Sequence, residues 1–401
     1  MLLTVSKRLE FSASRRLFDR RLTAAENVAR FGEESAARYG TGRNYVVHFV
    51  FSGELNAETG MLMNISDIKS RVGRVLHDGF DHKFLNEDNA AFADLPPTPE
   101  NVARELLRAA SPLFQDAEAD LVACHLSETR HRSATAYASG ACDANYWFEF
   151  SAARQTMSPR LTHQENEELF GLAASEWGHG HHYRARATFP ADSAGTNEAS
   201  IKSATERLRL ILDHKNLNHE VPQLAEHAIT TESLAAFIHR QLTNGRTIPE
   251  RVRLHERDDF FAECWAGNRC FLGMRESFNA AHRLHAPALS ERANLELFGK
   301  CNNVRGHGHT YDVEATIGGE MDERSGTLYG FTNFEEALRN SLNPWNDKHL
   351  DLEVDEFRTT ASTGENIVQA LWPKLDRALD GRLVRLRLAE TANNRFTFRR
   401  T

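Results

Sequence analysis

Phe278-Asn-Ala-Ala-His282-Arg-Leu284 decides the fold, because the chain writes it three times. It stands earlier as Phe11-Ser-Ala-Ser-Arg15-Arg-Leu17 and as Phe150-Ser-Ala-Ala-Arg154-Gln155. A second block follows each copy: Gly40-Thr41-Gly42-Arg43-Asn44-Tyr45, Gly178-His179-Gly180-His181-His182-Tyr183 and Gly306-His307-Gly308-His309-Thr310-Tyr311. A third reads Asp81-His82-Lys83, Asp213-His214-Lys215 and Asn346-Asp347-Lys348-His349. The fourth and fifth carry Glu100, Glu232 and Glu365, then Glu128, Glu256 and Glu390. Five blocks in one order, three times over, define a triplicated domain rather than a short-repeat array. The units are set at 1–142, 143–267 and 268–401. Neither boundary carries a Pro/Gly/Ser-rich linker, so tight packing between units is expected.

The chain has 401 residues, 41% hydrophobic and 26% charged, as an ordinary folded protein has. Its net charge of -8 argues against a general nucleic-acid binder. No apolar run approaches the ~18 residues that span a bilayer. The five cysteines (Cys124, Cys142, Cys264, Cys270, Cys301) are odd in number and show no paired spacing. With no signal-peptide pattern at the start, a reduced, cytoplasmic location is expected.

Each unit reads β-β-α-α-β-β. Arg43 to Leu55 alternates, with Tyr45, Val47, Phe49 and Phe51 on one side, and predicts a strand. Helical periodicity covers 64–76 and 200–212, then 101–113, 233–242 and 366–379. Pro373 predicts a kink or interruption in the last of these. Ser362-x-x-Glu365 has capping-box spacing. Four strands backed by two helices leave two bare sheet edges. Three such α+β units can join edge to edge and close an antiparallel barrel of about twelve strands, with helices outside.

The chemistry gathers in the third unit. His307 and His309 are two apart at the start of a strand, so both imidazoles face one way. If the strand before them pairs with theirs, His282 joins them. Three histidines and one open position make the pattern of a catalytic zinc site. Cys301, six residues before His307, is a candidate general base, because a thiolate near a dication has a lowered pKa. Asp81-His82 and Asp213-His214 are candidate proton relays.

These blocks, above all Cys301-Asn-Asn-Val-Arg-Gly-His307-Gly-His309-Thr-Tyr311 and Glu390-Thr-Ala-Asn-Asn394, closely resemble the 6-pyruvoyl-tetrahydropterin synthase family. The 6-carboxytetrahydropterin synthases of queuosine biosynthesis belong to it. The resemblance covers the whole chain as three copies. It implies the ββααββ tunnelling fold, whose trimers form twelve-stranded barrels and stack in pairs; one chain would then be a whole ring, and a homodimer is expected. It implies Zn²⁺ on His282, His307 and His309, with Cys301 as the proton-abstracting thiolate. Glu390 would anchor the pterin, with Glu365 nearby. In the family the Asp-His pair reaches the site from a neighbouring subunit. The implied reaction is elimination of triphosphate from 7,8-dihydroneopterin triphosphate, or side-chain cleavage in the carboxy-forming relatives.

The departures are complementary. Unit one has Arg15, Thr41 and Arg43 at the ligand positions and is expected to hold no zinc. Unit two keeps His179 and His181 but has Arg154 and Ala173 in place of the first ligand and the cysteine. It is expected to be inactive, with weak metal binding at most. Unit three has Asn346-Asp347 where the others have Asp-His, so Asp81-His82 or Asp213-His214 would complete its site, with His349 as a local substitute. Arg283, Lys300, Arg305 and Lys348 are the candidate triphosphate cations. The five-residue spacer between Cys301 and His307 favours the pyruvoyl product over the carboxy product. Two ruined sites leave a non-catalytic pterin- or purine-binding protein as the alternative, against which Cys301 speaks. An aldolase or cyclohydrolase of the same fold is disfavoured by the three histidines.

Overall fold

The computed structural model describes residues 1–191, 198–225, 227–243, 248–266 and 269–401. Unit one contributes β1 (Leu2–Arg15), β2 (Thr41–Ser52), the two-residue β3 (Lys83–Phe84), β4 (Asp120–Thr129) and β5 (Arg132–Tyr137). Unit two contributes β6 (Cys142–Arg154), β7 (His179–Pro190), β8 (Lys215–Asn216), β9 (Arg251–Arg257) and β10 (Phe260–Trp265). Unit three contributes β11 (Cys270–His282), β12 (His307–Gly319), β13 (Lys348–His349), β14 (Leu383–Thr391) and β15 (Asn394–Arg399). The alternation in β2 works as predicted: Tyr45, Val47, Phe49 and Phe51 are all fully buried. One cross-strand aromatic pair recurs in every unit. Phe11–Tyr45, Phe150–Tyr183 and Phe278–Tyr311 stack at 4.8, 5.0 and 5.0 Å, fixing the same register of first and second strands.

The twelve long strands close into one antiparallel barrel. The seams are β5–β6, β10–β11 and β15–β1, so every unit meets both others through backbone ladders. Two main helices per unit pack outside: Ile65–Gly79 and Pro99–Ala110, Glu198–Leu212 and Thr231–Thr243, Phe331–Leu342 and Gly364–Ala378. The apolar core lies between them and the barrel wall. Among the described residues no helix is long and apolar enough to cross a membrane. The expected boundary between units two and three falls at Gly267, which lies outside the described residues.

Three expectations are corrected. Of the kink or interruption expected at Pro373, the interruption is absent: helix Gly364–Ala378 runs through it. Pro373 sits on the exposed face, and Gln369, whose carbonyl loses its donor, is half-buried. The cap of that helix is Thr363, whose hydroxyl accepts from the Asn366 N–H, and not Ser362. Cys264 and Cys270 are joined in a disulfide. The spacing hid this pairing, which arises because β10 and β11 form a hairpin that sets the two residues directly opposite, with Cα atoms 4.2 Å apart.

The same hairpin places Gly273 opposite Phe261. A Cβ at Gly273 would lie 2.0 Å from the Phe261 ring. Gly273→Ala is expected to lower stability by roughly 1–3 kcal/mol through overpacking. Gly42→Ala, with nothing within 4 Å, is the neutral control. Urea midpoints of the two variants check this.

Candidate metal centre and its two altered copies

Antiparallel register builds the centre. His282 ends β11 and pairs directly with His307, while His309 pairs with Ala280. The Nε2 atoms of His282 and His307 are 3.2 Å apart, and one ligand atom from each of the three histidines lies within 4.8 Å of the others. The His282 ring is fully buried, and its Nδ1 donates to the Ser362 carbonyl at 2.9 Å. That bond fixes the tautomer and leaves Nε2 with its lone pair toward the centre. Burial holds His282 neutral, with its pKa lowered to about 4. Burial also lowers His307, whose Nδ1 has no protein partner. Three imidazoles converging on one point, one locked by a backbone carbonyl, fit a divalent zinc ion with an open position.

Two carboxylates frame this centre. Glu390 Oε1 lies 3.8 Å from Nε2 of both His282 and His309. Glu365 is almost wholly buried at the first turn of its helix, and its Oε1 accepts the Leu62 N–H of unit one at 3.0 Å. Burial pushes its carboxyl up to about 7, against the pull of that N–H. Cys301 lies in the turn Gly299–Asn302, within a small apolar cluster that includes Phe298, Leu284 and Met61 of unit one. Burial, then Glu390, push its thiol up, and only Lys300 pulls it down. A lowered thiol pKa therefore requires additional positive charge at the centre.

The Asp-His pairs are placed elsewhere. Asp81 Oδ1 accepts the Ser12 N–H at 2.9 Å, and the His82 N–H donates to the Ser12 carbonyl at 2.6 Å. Asp213 and His214 do the same at Ser151. Asn346 and Asp347 repeat it at Asn279. His82, His214 and Asp347 all have φ near +57° to +59°. The repeated dipeptide is thus a turn that docks each first main helix onto its strand, and Asn346 serves because the turn needs only a side-chain oxygen. Both imidazoles are 84% exposed and bond to their own aspartates at 3.0 and 3.1 Å. Among the described residues no hydrogen bond or ion pair joins either one to Cys301 or the three histidines.

Of the candidate cations, Arg283 pairs with Glu291 and Lys348 with Glu353. Lys300 and Arg305 are exposed and have no ion pair among the described residues. His349 lies beside Gly306, where a Cβ would come within 2.6 Å of its Nε2. The sequence reading missed Ser362 and Asp351. The Ser362 hydroxyl donates to Asp351 at 2.8 Å, and Asp351 also accepts the Arg283 N–H. No motif announces this support, since the group that meets His282 is a backbone carbonyl.

The unit-one copy is filled from within. Arg15 is buried, its Nε donates to Glu128 at 2.7 Å and its Nη1 to Glu34 at 2.8 Å, and Arg43 also pairs with Glu34. Arg132 holds Glu100. In unit two, Arg154 takes the His282 position and pairs with Glu256, which His181 also meets at 3.0 Å.

Fold and site together define a triplicated ββααββ barrel with one three-histidine centre among the described residues. Comparison with known proteins gives its family. The sequence pattern of 6-pyruvoyl tetrahydropterin synthase matches residues 4–139, 145–267 and 272–401. The chain belongs to that family. It is 42% identical over 132 residues to the 6-pyruvoyl tetrahydrobiopterin synthase of Drosophila melanogaster, covering 32% of this chain and 79% of that one. The Homo sapiens protein of the same name is 39% identical over 132 residues, covering 32% and 91%. The solved 6-pyruvoyl tetrahydropterin synthase of Caenorhabditis elegans is 36% identical, with a TM-score of 0.32, covering 33% of this chain and 95% of that chain.

Glu365 makes a pH prediction. Its folded pKa lies above the unfolded value near 4.5, so its contribution to stability is complete below about 4.5 and is lost as pH rises through about 7. Glu365→Gln keeps an oxygen for Leu62 and removes the titration. The variant is expected to gain on the parent by on the order of 2–3 kcal/mol between pH 4.5 and pH 8. Urea unfolding across that range checks it.

Proposed function

We propose that this chain is a zinc-dependent 6-pyruvoyl tetrahydropterin synthase with one working site, in unit three. It converts 7,8-dihydroneopterin triphosphate to 6-pyruvoyl-tetrahydropterin with loss of triphosphate. The observation that carries this reading is the convergence of His282, His307 and His309 beside Glu390, with Cys301 in the adjoining turn. The family relationship supports it, and both matched relatives carry this activity in their names.

The residues divide the work. Zn²⁺, held by the three histidines, would polarise the hydroxylated side chain of the substrate and acidify its C–H and O–H bonds. Glu390 and Glu365 accept N–H donors from the pterin edge, which relieves the mutual repulsion of the two carboxylates. Cys301 takes and returns the protons once its thiol is ionised. Lys300 and Arg305, without ion pairs among the described residues and flanking Cys301 and His307, meet the triphosphate.

Zinc is expected at about one per chain by elemental analysis. His307→Ala is expected to lose it, and His179→Ala to keep it. Three zincs per chain would sink the assignment to unit three alone. Cys301→Ala is expected to keep zinc and lose 10²–10⁴-fold in rate, on the order of general-base catalysis. Mass spectrometry of the product distinguishes the pyruvoyl from the carboxy compound.

The relay is proposed to come from a second copy of the chain. His82 and His214 are exposed and, among the described residues, bonded only within their own units, so a homodimer that stacks two rings would carry one of them to Cys301. His82→Asn and His214→Asn suit the left-handed backbone there. One is expected to lose 10²–10⁴-fold in rate and the other to remain near full activity. Two fully active variants with parental thermal unfolding would remove the pairs from the mechanism and leave His349 as the candidate. Light scattering should give two chains per particle.

A further inference from the structure

The unit-two copy has lost its metal set and its thiol, yet it has not closed. Arg154, His179, His181, Glu232 and Glu256 surround a cavity of about 440 Å³, walled by apolar side chains such as Phe170 and Phe331. Its far side is built by residues 327–332 of unit three. The Thr327 hydroxyl and the Leu328 N–H both donate to Glu232 Oε1, at 2.7 and 3.0 Å. That size is ordinary for a small-molecule site.

Its polar groups are incomplete. Arg154 is 3% exposed, and one nitrogen, Nη2, serves both Glu256 and Thr231. Among the described residues its Nε and Nη1 are buried without a hydrogen-bond partner, as are both ring nitrogens of His179. Buried donors in folded proteins are almost always paired. Unit one shows what a satisfied copy looks like, with Arg15 donating to Glu128, Glu34 and Thr41. Unit two keeps an equivalent guanidinium in the cavity wall, with two of its three nitrogens unpaired among the described residues.

Ligand atoms of His179, His181 and Glu256 lie within 4.8 Å of one another, which raises the question of a metal. The charge distribution answers it. Glu256 is already bonded to the fixed cation of Arg154 and to His181. A dication there would face that guanidinium across a shared carboxylate.

We infer that unit two is a second, metal-free ligand site, which takes a flat nitrogen heterocycle with an N–H donor edge and an anionic substituent. Glu232 and Glu256 accept the donor edge. The aromatic walls cover its faces. Arg154 Nη1 and Nε and the His179 ring take the oxygens of the substituent. With Ala173 in place of the cysteine, the ligand is held and not turned over.

The test uses the full chain with its zinc and titrates it with 6-carboxypterin, followed by fluorescence and calorimetry. The choice of a pterin as probe rests on the function proposed above. Two equivalents per chain are expected for the parent, and one for Arg154→Leu, with zinc content unchanged. Glu256→Gln, which preserves shape, is a second variant in case Arg154→Leu does not fold, and it is expected to weaken the second equivalent at least tenfold. Unsubstituted pterin, lacking the carboxylate, is expected to bind the second site at least tenfold more weakly. Fewer than two equivalents in the parent, or a second equivalent lost on removing zinc with a chelator, would overturn the inference. Failure of the parent to turn over dihydroneopterin triphosphate while keeping the second equivalent would strike only the function proposed for unit three.

Discussion

A four-stranded sheet with helices on one face ends in two rows of unpaired N–H and C=O groups, and this chain settles all of them within itself. Every other feature depends on that closure. The β5–β6, β10–β11 and β15–β1 ladders lock the three units at fixed angles around one axis. Units one and three each offer a loop to the helix start of another unit. Gly60 and Leu62 of unit one meet Thr363 and Glu365 of unit three. Thr327 and Leu328 of unit three meet Glu232 of unit two. A ring in one chain guarantees these meetings at every concentration, where separate subunits would have to find one another.

Covalent linkage also releases the copies from identity. In a ring of identical subunits one substitution alters all three sites; here each position varies alone. The point facing the inner carboxylate shows the result. Glu390 faces His282 and His309, Glu128 faces Arg15, and Glu256 faces Arg154. In the two units that lack the histidine set, a buried guanidinium stands against this carboxylate, Arg15 on Glu128 and Arg154 on Glu256.

Much of this was legible in residues. The Phe–Tyr pairs and the alternation of Tyr45 to Phe51 predict the strands, and the antiparallel register follows from them. His282 meeting His307 needs only that register. What escaped has physical causes. Cys264 and Cys270 look unpaired because a disulfide depends on hairpin register across a unit boundary and not on spacing. Pro373 looks like a breaker because sequence does not tell that its ring lies on the exposed face of the helix. The docking turn built by the Asp-His pairs was not legible, because recurrence is the same signal whether a turn or a reaction maintains it. Thr23-x-x-Glu26 and Thr162-x-x-Glu165 were readable as capping boxes, and they begin the short helices Ala24–Phe31 and His163–Phe170 that the six-element reading passed over.

The altered units are not surplus. Unit one has no metal ligands of its own, yet it supplies the N–H that holds Glu365 and places Met61 in the cluster around Cys301. Without the 60–64 segment, a carboxylate buried at a helix start would lose its donor, and the apolar environment of the thiol would open to water. Gly60 shows how tightly this is fitted. It has φ +69°, and a Cβ there would come within 2.4 Å of the Asn366 side chain. Loss of histidines in unit one therefore leaves unit three intact, whereas loss of unit one's fold would not. A single three-histidine centre needs the framework of its neighbour but not the neighbour's own ligand positions, which is the pattern of Arg15, Thr41 and Arg43.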